Sequence, residues 1–229
     1  MFGLSQEEIS ELSDEQLQKL NDKIVFVRDA MPGEWLDHSD ELRDAAELLW
    51  HDKSNDLRTS MEQVGEIQQG DLVYKEKINK YYYISRPYLL LAGFSIENVF
   101  KGLCVARNPS LINTGRLDSE LREHRILVLA GKLKDINLSE AEAKFCKVAQ
   151  DAIPYWGRYP IPLSYNRLLP EVGLDSELRR TFLDLQSRLG ARLHRAIRDG
   201  WDSGVGPETL KRRSKRYGDN IRHDESLFE

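Results

Sequence analysis

Apolar residues recur at intervals of three and four through nearly every segment of this 229-residue chain, and alternation of period two is hard to find. Residues so spaced share one side of a 3.6-residue helix, so the chain reads as all-α. The cleanest stripe is Leu178, Phe182, Leu185, Leu189, Leu193 and Ile197, opened by Asp175 as a cap and closed before Gly200. The most apolar helix is expected over 87–107, with Leu89, Ala92, Ile96, Val99, Phe100 and Leu103 on one broad face and Asn108-Pro109 ending it. Ser13 with Gln16, and Ser139 with Glu142, have the spacing of capping boxes and predict helices over 14–30 and 139–152. Two further helices are expected over 40–51 and 57–70, the second from Leu57, Met61, Val64 and Ile67, or a single helix kinked near Lys53-Ser54-Asn55. A shorter segment covers 122–133, and Pro154, Pro160 and Pro162 force an irregular stretch.

At about 100–200 residues per domain the length allows one sizeable domain with extensions. Charge divides it: residues 1–70 hold 17 acids and 6 bases, whereas 175–222 hold 12 bases and 7 acids. The organisation expected is an acidic helical extension (1–70), a helical bundle (71–200) and a basic then acidic tail (201–229). Charged residues make up 31% of the chain, but with mixed sign and among periodic apolar positions, which excludes wholesale disorder. Two cysteines, Cys104 and Cys146, both in apolar segments, exclude a disulfide framework and read as buried free thiols. The first residues are acidic where a signal peptide is basic, and the longest apolar run, 88–94, is far short of the ~20 residues of a spanning helix. A cytoplasmic address and no membrane association are therefore expected.

Several chemistries find no support. There is no Gly-x-x-x-x-Gly-Lys-Ser/Thr, and Gly204-Val205-Gly206 lacks a third glycine and a preceding strand. The histidines at 38, 51, 124, 194 and 223 show no zinc-ligand spacing, and no Gly-x-Ser-x-Gly elbow occurs. Neither a metal nor an organic cofactor is expected.

Four features carry possible chemistry. Glu97 and Lys101 lie one turn apart on a helix otherwise built for burial, either as an ion pair at its edge or as a polar site. His124 stands among charges of both signs, as a cap or as a ligand-binding group. Arg158 sits among Tyr155, Trp156 and Tyr159, so that its donor fork and the neighbouring rings suit phosphate or base recognition, or else close the end of a bundle. Residues 211–216, Lys-Arg-Arg-Ser-Lys-Arg, are either a phosphate-binding run or a solvated face.

Taken in order, these elements resemble the HEPN family, small helical domains named for higher eukaryotes and prokaryotes nucleotide-binding. The family pattern is a hydrophobic helix with Glu-x-x-x-Lys, then a histidine followed by spaced leucines, then a helix ending in Arg-Tyr-Pro. Here those are Glu97 and Lys101, His124 with Leu127 and Leu129, and Arg158-Tyr159-Pro160. The resemblance covers about residues 75–200 and implies a bundle of four or five helices, commonly a homodimer, found in toxin and defence systems.

Many members are metal-independent ribonucleases with an arginine and a histidine separated by four to six intervening residues; others only bind partners or nucleotides. Arg188 and His194 fit that spacing, as do Arg216 and His223. On a straight helix residues six apart differ by about 120° round the axis and about 9 Å along it, so Arg188 and His194 meet one substrate only through a break at Gly190 or a second protomer. What the resemblance implies for function is an RNA- or nucleotide-binding protein of a prokaryotic defence or toxin-like system, with Glu97, Lys101, His124, Arg158 and Tyr159 as binding residues. The alternatives are a dimeric metal-independent endoribonuclease using Arg188 and His194, and a structural or interaction module with a protein partner and no ligand.

Overall fold

A computed structural model describes residues 9–53, 57–68, 71–82, 84–154, 172–198 and 200–204, with the backbone alone described for Lys53 and the two strands. Ser13 opens α1 (Asp14–Asp29) with a full capping box: Ser13 N donates to Gln16 Oε1 at 2.8 Å and Gln16 N to Ser13 Oγ at 3.3 Å. Helix α2 (Pro32–Lys53) starts at Pro32 rather than at 40, because a first helical turn has no use for the N–H that proline lacks.

The chain then departs from the sequence reading. In place of a helix over 57–70 it forms strand β1 (Leu57–Gln68), paired antiparallel with β2 (Asp71–Tyr82) in a register running from Leu57 opposite Tyr82 to Gln68 opposite Asp71. Apolar spacing of four, three and three matched a helix face, but β1 gains a partner rich in β-formers, including Val73, Tyr74, Ile78, Tyr81 and Tyr82, and pairing across the ladder outweighs local periodicity.

Helix α3 (Ser85–Arg107) follows, with Pro87 in its first turn, then two short 3₁₀ turns (Pro109–Leu111 and Ser119–Arg122) and α4 (Ile126–Lys132). Helix α5 (Glu140–Ala152) is opened by the Ser139–Glu142 capping box, and α6 (Ser176–Ile197) by Asp175, whose carboxylate accepts from Leu178 N at 2.7 Å. The bundle is all-α, with the hairpin inserted between α2 and α3.

Cross-helix contacts set its geometry. Ser39 meets Ser95 and Glu47 meets Tyr88, so α2 and α3 run antiparallel. Gly102 lies against Leu193 while Tyr88 packs on Phe182, so α3 and α6 run parallel. Phe145 stacks on Phe182 with centroids 5.5 Å apart, and Glu142 pairs with Arg188, which sets α5 antiparallel to α6. Helix α3 touches α2, α4, α5 and α6 and is the axis of the fold.

Its apolar side, including Leu89, Ala92, Ile96, Val99 and Phe100, is fully buried, as is most of the α6 stripe. By length and composition α3 is long and apolar enough to cross a membrane, but here it is the core helix, taken up inside the bundle. Glycines let it approach its neighbours. A Cβ on Gly102 would stand 2.6 Å from Leu193 Cδ2 and 3.0 Å from Trp35 Cβ; one on Gly93 would stand 3.2 Å from Ala149 O.

The acidic stretch expected to stand apart as an extension supplies α2, a wall of the bundle, with Leu36 and Ala46 in the common core. Beyond α6, Gly200 takes φ +103°, and Trp201 Nε1 donates to Ala106 O at 3.2 Å at the end of α3.

Candidate functional site

Glu97 and Lys101, one turn apart on α3, lie on a side buried from solvent, 3% and 5% exposed. Lys101 Nζ donates to Glu97 Oε1 at 2.6 Å, and its ammonium lies 5.9 Å from the ring centroid of Trp35 on α2. The Glu97 carboxylate also reaches outward. Oε1 pairs with His124 Nδ1 at 3.0 Å, and the His124 side chain is 64% exposed. Three of the residues singled out by sequence thus converge on a single carboxylate oxygen. The second oxygen, Glu97 Oε2, is buried and has no hydrogen-bond partner; among the described residues no other buried side-chain nitrogen or oxygen is left so.

The segment that presents His124 is held by its own clamp. Asp118 caps the 3₁₀ turn by accepting from Glu120 N at 2.8 Å. Glu123 then gathers the N–H groups of His124 and Arg125 at 3.1 and 2.9 Å and the Arg125 guanidinium at 2.9 and 2.6 Å. Hydrogen bonding from the Arg125 side chain, helped by these backbone donors, lowers the Glu123 pKa to about 2. Leu127 N donates to Gln150 Oε1 at 3.2 Å, tying the start of α4 to α5. The backbone of His124 is therefore fixed, and its ring is turned toward α3.

A carboxylate that receives Nδ1–H leaves Nε2 with the lone pair, directed away from Glu97. Such a pair presents an oriented acceptor at the surface, with a buried carboxylate beneath it. Its chemistry suits a ligand that offers an N–H or O–H to Glu97 and a polar group to His124.

Arg188 and His194 are not brought together. Helix α6 runs unbroken through Gly190, so the break that would bring the two together within one chain is not formed: the glycine sits inside a well-packed stripe whose burial outweighs its weak helix propensity. Arg188 lies on the surface, its Nε and Nη2 donating to Glu142 Oε1 at 3.1 and 2.8 Å, while His194 is turned inward and is 4% exposed. Within one chain the two face different surroundings. Arg158 and Tyr159, the pair Arg216 and His223, and the basic run 211–216 lie outside the described residues.

No family model, curated protein or solved structure matches this chain. Function is then to be read from its own residues.

Sequence reading missed two polar clusters, because each is assembled from three helices. In one, Ser95 Oγ donates to Ser39 O at 2.9 Å, and Gln186 Nε2 donates to Asp40 Oδ1 at 2.7 Å while its Oε1 accepts from Arg43 at 3.1 Å. In the other, Glu47 accepts from Tyr88 Oη at 2.6 Å and from Arg179, whose guanidinium also lies 5.0 Å from the Trp50 ring centroid. Burial and the neighbouring Glu47 carboxylate raise the Tyr88 pKa far above its ordinary value. The signal that could have found them is a polar residue at an apolar position: Ser95 between Phe94 and Ile96, Gln186 beside Leu185.

Cys104 and Cys146 are buried free thiols, and burial pushes the Cys146 pKa up to about 12, leaving it unreactive at neutral pH. Among the described residues no group of three or more His, Cys, Asp or Glu gathers as a metal site would.

Proposed function

We propose that this chain is a HEPN-like RNA- or nucleotide-binding protein of a prokaryotic defence or toxin-like system, with Glu97, Lys101 and His124 as the core of its binding site. The observation that carries this reading is Glu97 Oε2, buried without a partner beside an exposed, oriented histidine. A buried ion pair is poor value for stability, since apolar residues of the same volume often do better, and an unsatisfied buried carboxylate oxygen costs more again. A ligand donor such as the N–H edge of a base removes that cost. The order Glu-x-x-x-Lys then His, which carried the family resemblance, acquires a physical reason when all three side chains meet at Oε1. Buried free thiols fit a reducing compartment such as the cytoplasm.

The ribonuclease alternative rests on Arg188 and His194, which diverge on α6. The test is calorimetric titration of the full chain with mononucleotides and short RNA, beside His124→Ala and Glu97→Gln. Saturable binding by the wild type, weakened at least about tenfold in both variants, supports the site. No binding by the wild type, or binding indifferent to both variants, overturns it. Incubation with an RNA pool in chelator separates the enzyme reading, since cyclic-phosphate 3′ ends lost in Arg188→Ala and His194→Ala would establish cleavage instead.

A further inference from the structure

The β-hairpin contains a self-complementary surface that the binding site does not use. Residues opposite one another in an antiparallel ladder share a face with their i ± 2 neighbours. The register therefore places Leu57, Met61 and Ile67 of β1 on the same face as Tyr74, Ile78 and Tyr82 of β2, while Arg58, Glu62, Lys75 and Lys77 lie on the other face. Among the described elements the strands have their extensive contacts with each other and not with the helices. A two-stranded hairpin is marginal in water on its own and needs its apolar face packed against something.

Only two residues of the apolar face are charged, Glu76 and Lys80, and they lie two positions either side of Ile78. Their ladder partners, Gln63 and Thr59, are neutral, and β1 adds no charge to this face. Two positions further out on each side stands a tyrosine, Tyr74 or Tyr82. The series Tyr74, Glu76, Ile78, Lys80, Tyr82 thus becomes its own complement when reversed about Ile78, which is what a two-fold axis demands of an isologous contact.

We infer that the apolar face of the hairpin is covered by the same face of a second copy of this chain. The two arms are antiparallel about Ile78, with Glu76 of each protomer meeting Lys80 of the other. This does not rest on the ligand-site reading and stands or falls separately.

Sedimentation velocity of the full chain over a concentration series tests it, with Glu76→Lys, Lys80→Glu and the double exchange. The wild type is expected to be dimeric. Each single variant sets like charges against each other twice per dimer and should weaken dimerisation at least tenfold, while the double exchange restores it. Within one hairpin residues 76 and 80 stand four positions apart along the same strand, about 13 Å, and are largely screened from each other, so a loss reversed by the exchange reports a contact between copies. Circular dichroism checks that each variant keeps the wild-type helical signal. A chain monomeric throughout the series, or a dimer indifferent to both single variants, overturns the proposal, as does a monomer whose melting temperature falls in both variants, which would place the cover within the same chain.

Discussion

Helix α3 contributes to three buried polar clusters, and the two built on a glutamate are finished differently. Near its start, Tyr88 and Glu47 form a network with Arg179 in which both carboxylate oxygens are satisfied, Oε1 by Tyr88 Oη and Arg179 Nε and Oε2 by Arg179. About two and a half turns further on, Glu97 satisfies Lys101 and His124 through one oxygen and leaves the other with none. The first cluster links α2, α3 and α6 and has the completeness of a structural device. The second joins α3 to an exposed loop histidine and leaves one buried oxygen without a partner, the incompleteness on which the proposed ligand site rests.

The contrast is broken most severely by Glu47→Ala, which removes the acceptor of both Tyr88 and Arg179. A loss of about 3 kcal/mol in urea unfolding is expected, with little effect on ligand affinity. Equal damage to affinity would mean that the two clusters are one site.

Gly102→Ala tests how rigidly the incomplete cluster is backed, since a Cβ there meets Leu193 and Trp35, the residue over which Lys101 sits. A cost of about 2 kcal/mol is expected in the same unfolding assay.

Alkaline titration sharpens the structural side. The Tyr88 and Cys146 pKa values are both raised in the fold, so above pH 9 the unfolded chain releases protons that the native one retains. Bound protons are then fewer in the unfolded state, and stability falls with pH. For Cys146 the loss runs from pH 9 to about 12, at no more than about 1.4 kcal/mol per pH unit. Cys146→Ala should flatten that limb relative to wild type in pH-dependent melts.

The smallest stability effect belongs to His124→Ala. Its exposed ring should cost under about 0.5 kcal/mol, while the proposed ligand affinity falls at least about tenfold. A large drop in melting temperature would move His124 to the structural side.

Legibility followed the same division between local and assembled features. Glu97, Lys101 and His124 were found because the first two are one turn apart and a charged pair on an apolar helix is conspicuous; that His124 joins them required the loop and α3 to be placed. That Arg188 stands on the surface while His194 is buried was not legible, because spacing along a helix does not say which residue the bundle covers. The helix expected over 57–70 failed because strand pairing is decided by a partner elsewhere in the chain.

The sequence alone determined the helices whose ends are set by neighbours a few residues away. Ser13 with Gln16, Ser139 with Glu142, and Asp175 before its stripe place the starts of α1, α5 and α6 through backbone bonds spanning a single turn. Burial of the apolar residues of α3 and α6 follows from the same periodicity. Only the tertiary structure decided that α2 is a wall of the bundle, that Glu47, Tyr88 and Arg179 form one network, and that one oxygen of Glu97 is left without a donor. Those outcomes depend on which helices stand side by side, and the contacts that choose the neighbours lie far apart in the chain.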